Sequence, residues 1–282
     1  MLSSLLIIGV GFMGGSLALA LREEGFKGKI FGLDINPESL KKAREKGVID
    51  EGSTSYESVS DFEPEIVVLA SPVRTFRDIS KRLKPFLKEE SIVTDLGSVK
   101  GRLVYDLEAL LGARFVGAHP IAGTEKSGVE HSVSNLFRDK KLIITPTENT
   151  DKEALSRVEN LWKAVGADIE FMDPFVHDWV FGAVSHLPHA VAFALIDALI
   201  DMSEDIDLFK YPGGGFKDFT RIAGSDPIMW RDIFLENKKN VLKAIEVYIN
   251  SLQKLKSLIE HEAEGELTRY LEESRQRRMK LE

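Results

Sequence analysis

The sequence predicts an α/β sheet domain followed by an all-α domain, and three observations carry that expectation. Short apolar runs alternate with helix-compatible segments through the first half of the chain. Those runs have few polar interruptions, the pattern of strands buried on both faces of a mostly parallel sheet. From about residue 173 the strand pattern stops, and long helix-compatible stretches take over. At 282 residues the chain is somewhat long for one core. Two domains are therefore expected, 1–172 and 173–282, meeting near "DPFVHD".

Each element can be justified in order. "LLIIGV" reads as a strand and "GGSLALALREEG" as a helix. "KIFGLD" is the next strand, followed by "NPESLKKAREKG" as a helix with Asn36 as its cap and Pro37 in its first turn. "EIVVLASP", "SIVTDLGS", "RFVGAHP" and "KLIITP" continue the series, most of them ending in a polar or proline-containing loop. The second half is read as helices, beginning with "DWVFGAVSHLPHAVAFALIDALIDM", in which Pro188 removes a backbone hydrogen bond and kinks the run.

Composition narrows the function classes. With 43% hydrophobic and 29% charged residues the chain has enough apolar material for a core and no bias toward disorder. A net charge of -8 argues against general attraction to nucleic acid or an anionic membrane, so an anionic ligand must meet a local positive cluster. The absence of Cys excludes disulfides, thiolate metal sites and cysteine nucleophiles. The opening apolar run is too short and too soon broken by glycine for a signal or a membrane span, so a cytoplasmic location is expected.

Gly9-Val10-Gly11-Phe12-Met13-Gly14 is a G-x-G-x-x-G between a strand and a helix, and Asp34 closes the next strand twenty residues after Gly14. In that context the motif reads as a Rossmann-type dinucleotide site. Gly9 permits the turn, Gly11 lets the backbone approach a pyrophosphate, Gly14 lets helix lie on strand, and the helix N-terminus offers its N–H groups, with Phe12 and Met13 in the same loop. Asp34 would accept from the adenosine ribose hydroxyls and repel a 2′-phosphate, favouring NAD over NADP. Ser71 and Pro72 end a later strand, where ligands of open α/β sheets bind, and are assigned to the cofactor as well.

Ser98 also ends a strand, as a site residue or a plain turn residue, and Lys100 and Arg102 after it are either solvated charge or an electropositive wall. His119 stands where a strand gives way to a loop of Pro, Gly, Thr and charged residues. Imidazole, with an unperturbed pKa of about 6.5, suits removal of a hydroxyl proton at neutral pH. A base beside a nicotinamide reads as alcohol oxidation. Glu125 and Lys126 on the next loop read either as groups that gate or polarise such a site or as exposed loop charges with no task.

In "SHLPH", His186 and His189 are three apart, whereas the helical zinc motif spaces its histidines four apart with a Glu after the first, so no metal is expected. One of the two is expected to face the cleft and the other to be structural. In "GGGFKDFTRIAGSDPIMWRDI", Arg221 is the candidate carboxylate clamp, with Asp218 three residues earlier placed to steady its guanidinium.

Together, "GVGFMGGSLALAL", "VTDLGSVK", "GAHPIAGTEKSG", "SHLPH" and the glycine-rich segment just quoted resemble the prephenate dehydrogenase family of tyrosine biosynthesis, over residues from about 5 to 235. The resemblance implies oxidative decarboxylation of prephenate to 4-hydroxyphenylpyruvate with reduction of NAD. It implies that His119 accepts a hydrogen bond from the ring hydroxyl with help from Ser98. It further implies that Arg221 binds a substrate carboxylate, that His189 is a substrate-binding position, and that Glu125 takes part in an ionic gate. A homodimer through the helical domain is implied too. With neither a chorismate mutase segment nor an ACT domain expected in these residues, any feedback by tyrosine would act at the active site or on the dimer. Arogenate dehydrogenase would share every one of these motifs, since a keto and an amino side chain differ by one or two pocket contacts. A β-hydroxyacid dehydrogenase would place a catalytic lysine in the helical domain, and no comparable block is present. An NAD-sensing regulator would need a DNA-binding module and a basic face.

Overall fold

The computed structural model describes residues 2–203 and 206–281. The chain opens with β1 (Ser4–Ile8), α1 (Phe12–Glu23), β2 (Lys29–Leu33), α2 (Pro37–Glu45), β3 (Glu51–Ser53), α3 (Ser58–Phe62), β4 (Ile66–Leu69), α4 (Phe76–Leu83), β5 (Ile92–Asp95), α5 (Gly101–Leu111) and β6 (Phe115–Pro120). It continues with β7 (Lys141–Thr145), α6 (Lys152–Ala164) and β8 (Asp168–Phe171). The eight strands form one sheet in the order β3-β2-β1-β4-β5-β6-β7-β8. The run from β3 to β6 is parallel, β7 is antiparallel to β6, and β8 is parallel to β7. The strand order reverses between β1 and β4, which is where dinucleotides sit in such sheets.

Side chains alternate across the sheet as strand geometry requires. Leu5 and Ile7 of β1 face a core completed by Leu17 of α1 and by Val158 and Trp162 of α6, with Trp162 edge-on to Phe137 at 5.1 Å. Leu6 and Ile8 face the other way, onto Phe76 of α4 and Leu103 and Leu107 of α5. Asn36 caps α2 by accepting from Glu38 N at 3.0 Å, and Pro37 begins the helix.

Two strands lie outside the sequence expectation. β3 is Glu-Gly-Ser and β8 is largely exposed, so neither shows the unbroken apolar run by which buried parallel strands are recognised.

The remaining elements are helical: α7 (Pro174–Phe181), α8 (Leu187–Met202), α9 (Gly214–Thr220), α10 (Pro227–Glu236), α11 (Lys238–Glu260) and α12 (Glu264–Arg278). Helix α10 docks on the sheet domain, its Trp230 and Ile233 joining the core of Leu103 and Phe76. Between α7 and α8, residues Gly182–His186 form a wide π turn. The proline ring at 188 would clash with the carbonyl of residue 184 in a regular helix, and the widened turn accommodates it. Gly182 lies against α11, where an added Cβ would come within 3.1 Å of Asn240 Cβ. The continuous segment Pro174–Met202 is long and apolar enough to cross a membrane by length and composition; its most apolar 18-residue window has mean hydropathy 1.6, and only 11% of that window is buried within one chain.

Candidate active site

The loops at the carboxyl ends of β1, β2, β4, β5 and β6 bring the predicted site residues to one edge of the sheet. Gly9 has φ +90, and a Cβ there would lie 2.7 Å from Ser71 N, so the turns after β1 and β4 abut. This puts Ser71 and Pro72 beside the glycine loop. A Cβ on Gly14 would meet Ile7 Cγ2 at 2.7 Å and Gly9 O at 2.8 Å, whereas Gly11 faces open space. No side chain caps α1, so the amides of its first turn, Phe12 and Met13 included, keep the free donors of a helix N-terminus. Asp34 accepts from Val10 N at 2.8 Å and Asn36 N at 2.9 Å, which fixes its half-exposed carboxylate beside this loop with lone pairs to spare. An open cradle of backbone donors with a fixed acceptor next to it fits a dinucleotide.

His119 is the penultimate residue of β6, nearly buried, with Nδ1 2.8 Å from Nε2 of His177. The ring of Phe181 meets it edge-on at 5.1 Å. Burial, followed by His177, Lys100 and His186, drives its pKa well below the ordinary imidazole value, so it is neutral at physiological pH. Its Nε2 makes no hydrogen bond among the described residues. Ser98, half-buried in the loop three residues past the neighbouring strand β5, also has its hydroxyl unengaged among the described residues.

The two basic residues after Ser98 part company. Arg102 is exposed and pairs with Asp106 at 2.8 Å, as a solvated surface ion pair. Lys100 is 1% exposed and its Nζ is paired with Asp95 Oδ2. Asp95 also accepts from Gly97 N at 2.9 Å and Ala118 N at 3.0 Å, so this pair ties the β5 loop to the strand that carries His119. Burial pushes the Asp95 carboxyl up, while Lys100 and the two amides hold it down. Replacing Lys100 with Met would strand a buried carboxylate. We expect a loss of roughly 3–5 kcal/mol in unfolding free energy, read from denaturant titration.

The helical domain supplies the opposite side. His186 is fully buried, its Nδ1 accepts from Asn237 Nδ2 at 3.0 Å, and burial lowers its pKa to about 4. Of the pair, His186 is thus the one held inside the fold, its Nε2 buried without a hydrogen-bond partner among the described residues. His189 is half-buried, donates from Nδ1 to Ser185 O at 3.0 Å, and stacks on Trp230 with ring centroids 3.6 Å apart, leaving Nε2 uncommitted among the described residues. Arg221, 61% exposed, is close enough to depress the His189 pKa and pairs with Glu125 Oε2 at 3.0 Å.

That pairing corrects one expectation. Asp218 does not steady Arg221; it is exposed and makes no hydrogen bond or ion pair among the described residues. At three residues' separation the two lie on α9 and in the short helical turn that follows, and the guanidinium reaches across to the loop after β6 instead.

The Glu125 loop, residues 121–128, is held at both ends. Pro120 is paired in the sheet, and beyond Gly128 the Lys46 ammonium donates to the carbonyls of Val129, Glu130 and Ser132 at 3.2, 2.7 and 2.9 Å. Ser132 Oγ in turn donates to Phe12 O at 3.1 Å, against the start of α1.

Comparison with known proteins identifies this arrangement. The family profile described as prephenate dehydrogenase, nucleotide-binding domain, matches residues 17–171, and that described as prephenate dehydrogenase, dimerization domain, matches residues 173–273. The chain belongs to the prephenate dehydrogenase family. Prephenate dehydrogenase of Bacillus subtilis is 37% identical over 96% of this chain and 74% of its own length. A crystal structure of prephenate dehydrogenase from Aquifex aeolicus in complex with hydroxyphenyl propionate and NAD+ matches with TM-score 0.97 at 64% identity, covering 100% of this chain and 99% of that one. Synechocystis arogenate dehydrogenase matches with TM-score 0.81 at 29% identity, covering 99% and 100%.

Within this prephenate dehydrogenase fold, the residues that the sequence left unremarked are His177, Asp178 and Asn237; Asp95 was legible only as part of the strand-end segment Asp95-Leu96-Gly97-Ser98, not as the partner of Lys100. His177 and Asp178 fall in the segment read only as a domain junction. An adjacent His-Asp pair entering an apolar helix was the available signal, because such a pair is buried with its helix and must find partners there.

Proposed function

We propose that the chain catalyses NAD-dependent oxidative decarboxylation of prephenate to 4-hydroxyphenylpyruvate. The observation that carries this reading is His119, a buried neutral imidazole with one nitrogen engaged and the other uncommitted, at the sheet edge that bears the dinucleotide cradle. The likeness to the Aquifex aeolicus enzyme in complex with NAD+ and hydroxyphenyl propionate supports both cofactor and substrate class.

When bound, NAD+ would accept hydride at its nicotinamide; the glycine loop would hold its pyrophosphate and Asp34 its ribose, with Ser71 and Pro72 alongside. His119 Nε2 takes the proton of the C4 hydroxyl as the C4 hydrogen departs as hydride. Ser98 is positioned to hold the same hydroxyl. The resulting ring ketone is vinylogous to the C1 carboxylate, which leaves as CO₂ as the ring aromatises. Arg221 binds a carboxylate of the substrate, and His189 offers Nε2 to the same ligand. Glu125 occupies Arg221 until substrate arrives, an exchange of one carboxylate for another.

The dimerization-domain match and the exposed apolar residues of Pro174–Met202, among them Trp179, Val184, Ile200 and Met202, support a homodimer in which a second copy covers that face. Tyrosine, which keeps the phenol and loses the reactive ring carboxylate, is proposed as a competitive occupant of the substrate site.

The test is NADH formation at neutral pH with prephenate or arogenate, each with NAD+ or NADP+. Turnover of prephenate with NAD+ is expected; activity confined to arogenate would move the assignment to the amine analogue, and no activity with either would overturn it. In the same assay Asp34→Asn is expected to lower the preference for NAD+ over NADP+ by roughly 10–100-fold, the value of one charged hydrogen bond. An unchanged ratio would remove Asp34 from cofactor selection.

A further inference from the structure

We propose that His177 and Asp178 are positioning residues that fix the tautomer of His119, keeping its proton on Nδ1 and its lone pair on Nε2. The inference rests on the reading of His119 as the base and deepens it.

The argument is one of donors and acceptors. Asp178 Oδ1 lies 2.7 Å from Lys100 N and 2.9 Å from His177 Nδ1. An ionised carboxylate only accepts, so His177 carries its proton on Nδ1 and presents a lone pair at Nε2. His119 Nδ1 is 2.8 Å from that lone pair and must donate to it. Neutral His119 then has no proton left for Nε2, and this nitrogen becomes the acceptor for the substrate hydroxyl.

The surroundings keep the chain in this state. Burial lowers the His177 pKa to about 2, so it stays neutral, while burial raises Asp178 to about 6, still below physiological pH. Asp178 sits at the N-terminus of α5, held by the amides of Lys100 and Gly101, and a Cβ on Gly101 would collide with its Oδ2. Asn237 ties the same residue down by donating to Asp178 O at 2.7 Å. Phe181 packs on both imidazoles, at 5.1 Å from His119 and 4.5 Å from His177. The other titratable groups facing His119 are Lys100, paired with Asp95, and His186. When His119 gains a proton at Nε2, its Nδ1–H keeps its acceptor, and the new positive charge lies two hydrogen bonds from the Asp178 carboxylate.

The first test is nitrogen NMR of the full chain labelled at histidine, at pH 7.5. His119 should show a protonated Nδ1 and an unprotonated Nε2; the opposite tautomer, or an even mixture, overturns the proposal whether or not prephenate is a substrate. The second is steady-state kinetics with prephenate and NAD+. His177→Leu should lower kcat roughly 10²-fold while both KM values stay within about threefold, and should move the acid limb of kcat to lower pH because the imidazolium loses its acceptor. His177→Gln, whose Oε1 can accept the same bond, should recover most of kcat. A His177→Leu protein with the parental circular dichroism and thermal midpoint, a kcat within about threefold of the parent and an unmoved acid limb overturns the proposal. Should His177→Leu fail to fold, the tautomer read in the parent protein decides. A parent chain inactive on prephenate would instead overturn the proposed function and leave the tautomer result standing.

Discussion

Replacing His119 with Asn lowers kcat on prephenate by roughly 10²–10⁴-fold and leaves KM within about threefold. Asn is smaller than the imidazole but carries an amide N–H at the position of Nδ1, so it can still donate to His177 and hold that side of the buried pocket. It has no basic nitrogen, so the hydroxyl proton has nowhere to go as hydride leaves. The loss therefore falls on the step and not on binding. Burial disfavours the imidazolium, so the neutral, competent form persists below the usual imidazole range, and the acid limb of kcat/KM in the parent should lie below that range. That limb is absent in the Asn variant. A variant with parental kcat, or with an unaltered acid limb, would remove His119 from the chemistry.

Arg221→Ala has the complementary signature. KM for prephenate rises roughly 10–100-fold, the range expected for one charge-assisted hydrogen bond, while kcat at saturation falls by less than about threefold. Arg221→Lys recovers only part of the affinity, because an ammonium supplies the charge without the planar fork. The change also frees Glu125 from its partner, so part of the loss reflects the disturbed loop. Glu125→Gln separates the two effects. It removes the competing carboxylate charge, so prephenate should bind at least as well as to the parent. Arg221→Ala with parental KM would place the carboxylate elsewhere.

Much of this architecture is legible in the sequence, for identifiable reasons. The glycine spacing and Asp34 report backbone geometry directly, since a φ of +90 at Gly9 and the contact between Gly14 and Ile7 exclude other residues. Asn36 and Pro37 likewise act within their own helix. The illegible parts depend on contacts between distant segments. Asp218 looked like the partner of Arg221 because it is near in sequence, and the partner is Glu125, ninety-six residues away. Lys100 reads from sequence as either surface charge or an electropositive wall, and its buried pairing with Asp95 makes it neither. His177 carried no signal alone, because only the crossing of α7 over the end of β6 brings it to His119. Short strands such as β3 escape notice because their pairing comes from the neighbour and not from their own apolarity.

The clasp formed by Lys46 gives the Glu125 loop an unusual mechanical character. A strap fastened at one end swings like a door and must drag its free end through solvent. Residues 121–128 are fastened at both, to the sheet at Pro120 and through Val129 to helix α2 and the start of α1. Such a span can only turn about the line joining its two posts, as a skipping rope does, so that Glu125 near its middle travels furthest while the ends stay fixed. On the role proposed for Glu125, release of Arg221 would lift the tip without disturbing the cradle at the start of α1, so that one ligand would be admitted while the grip on the other is undisturbed.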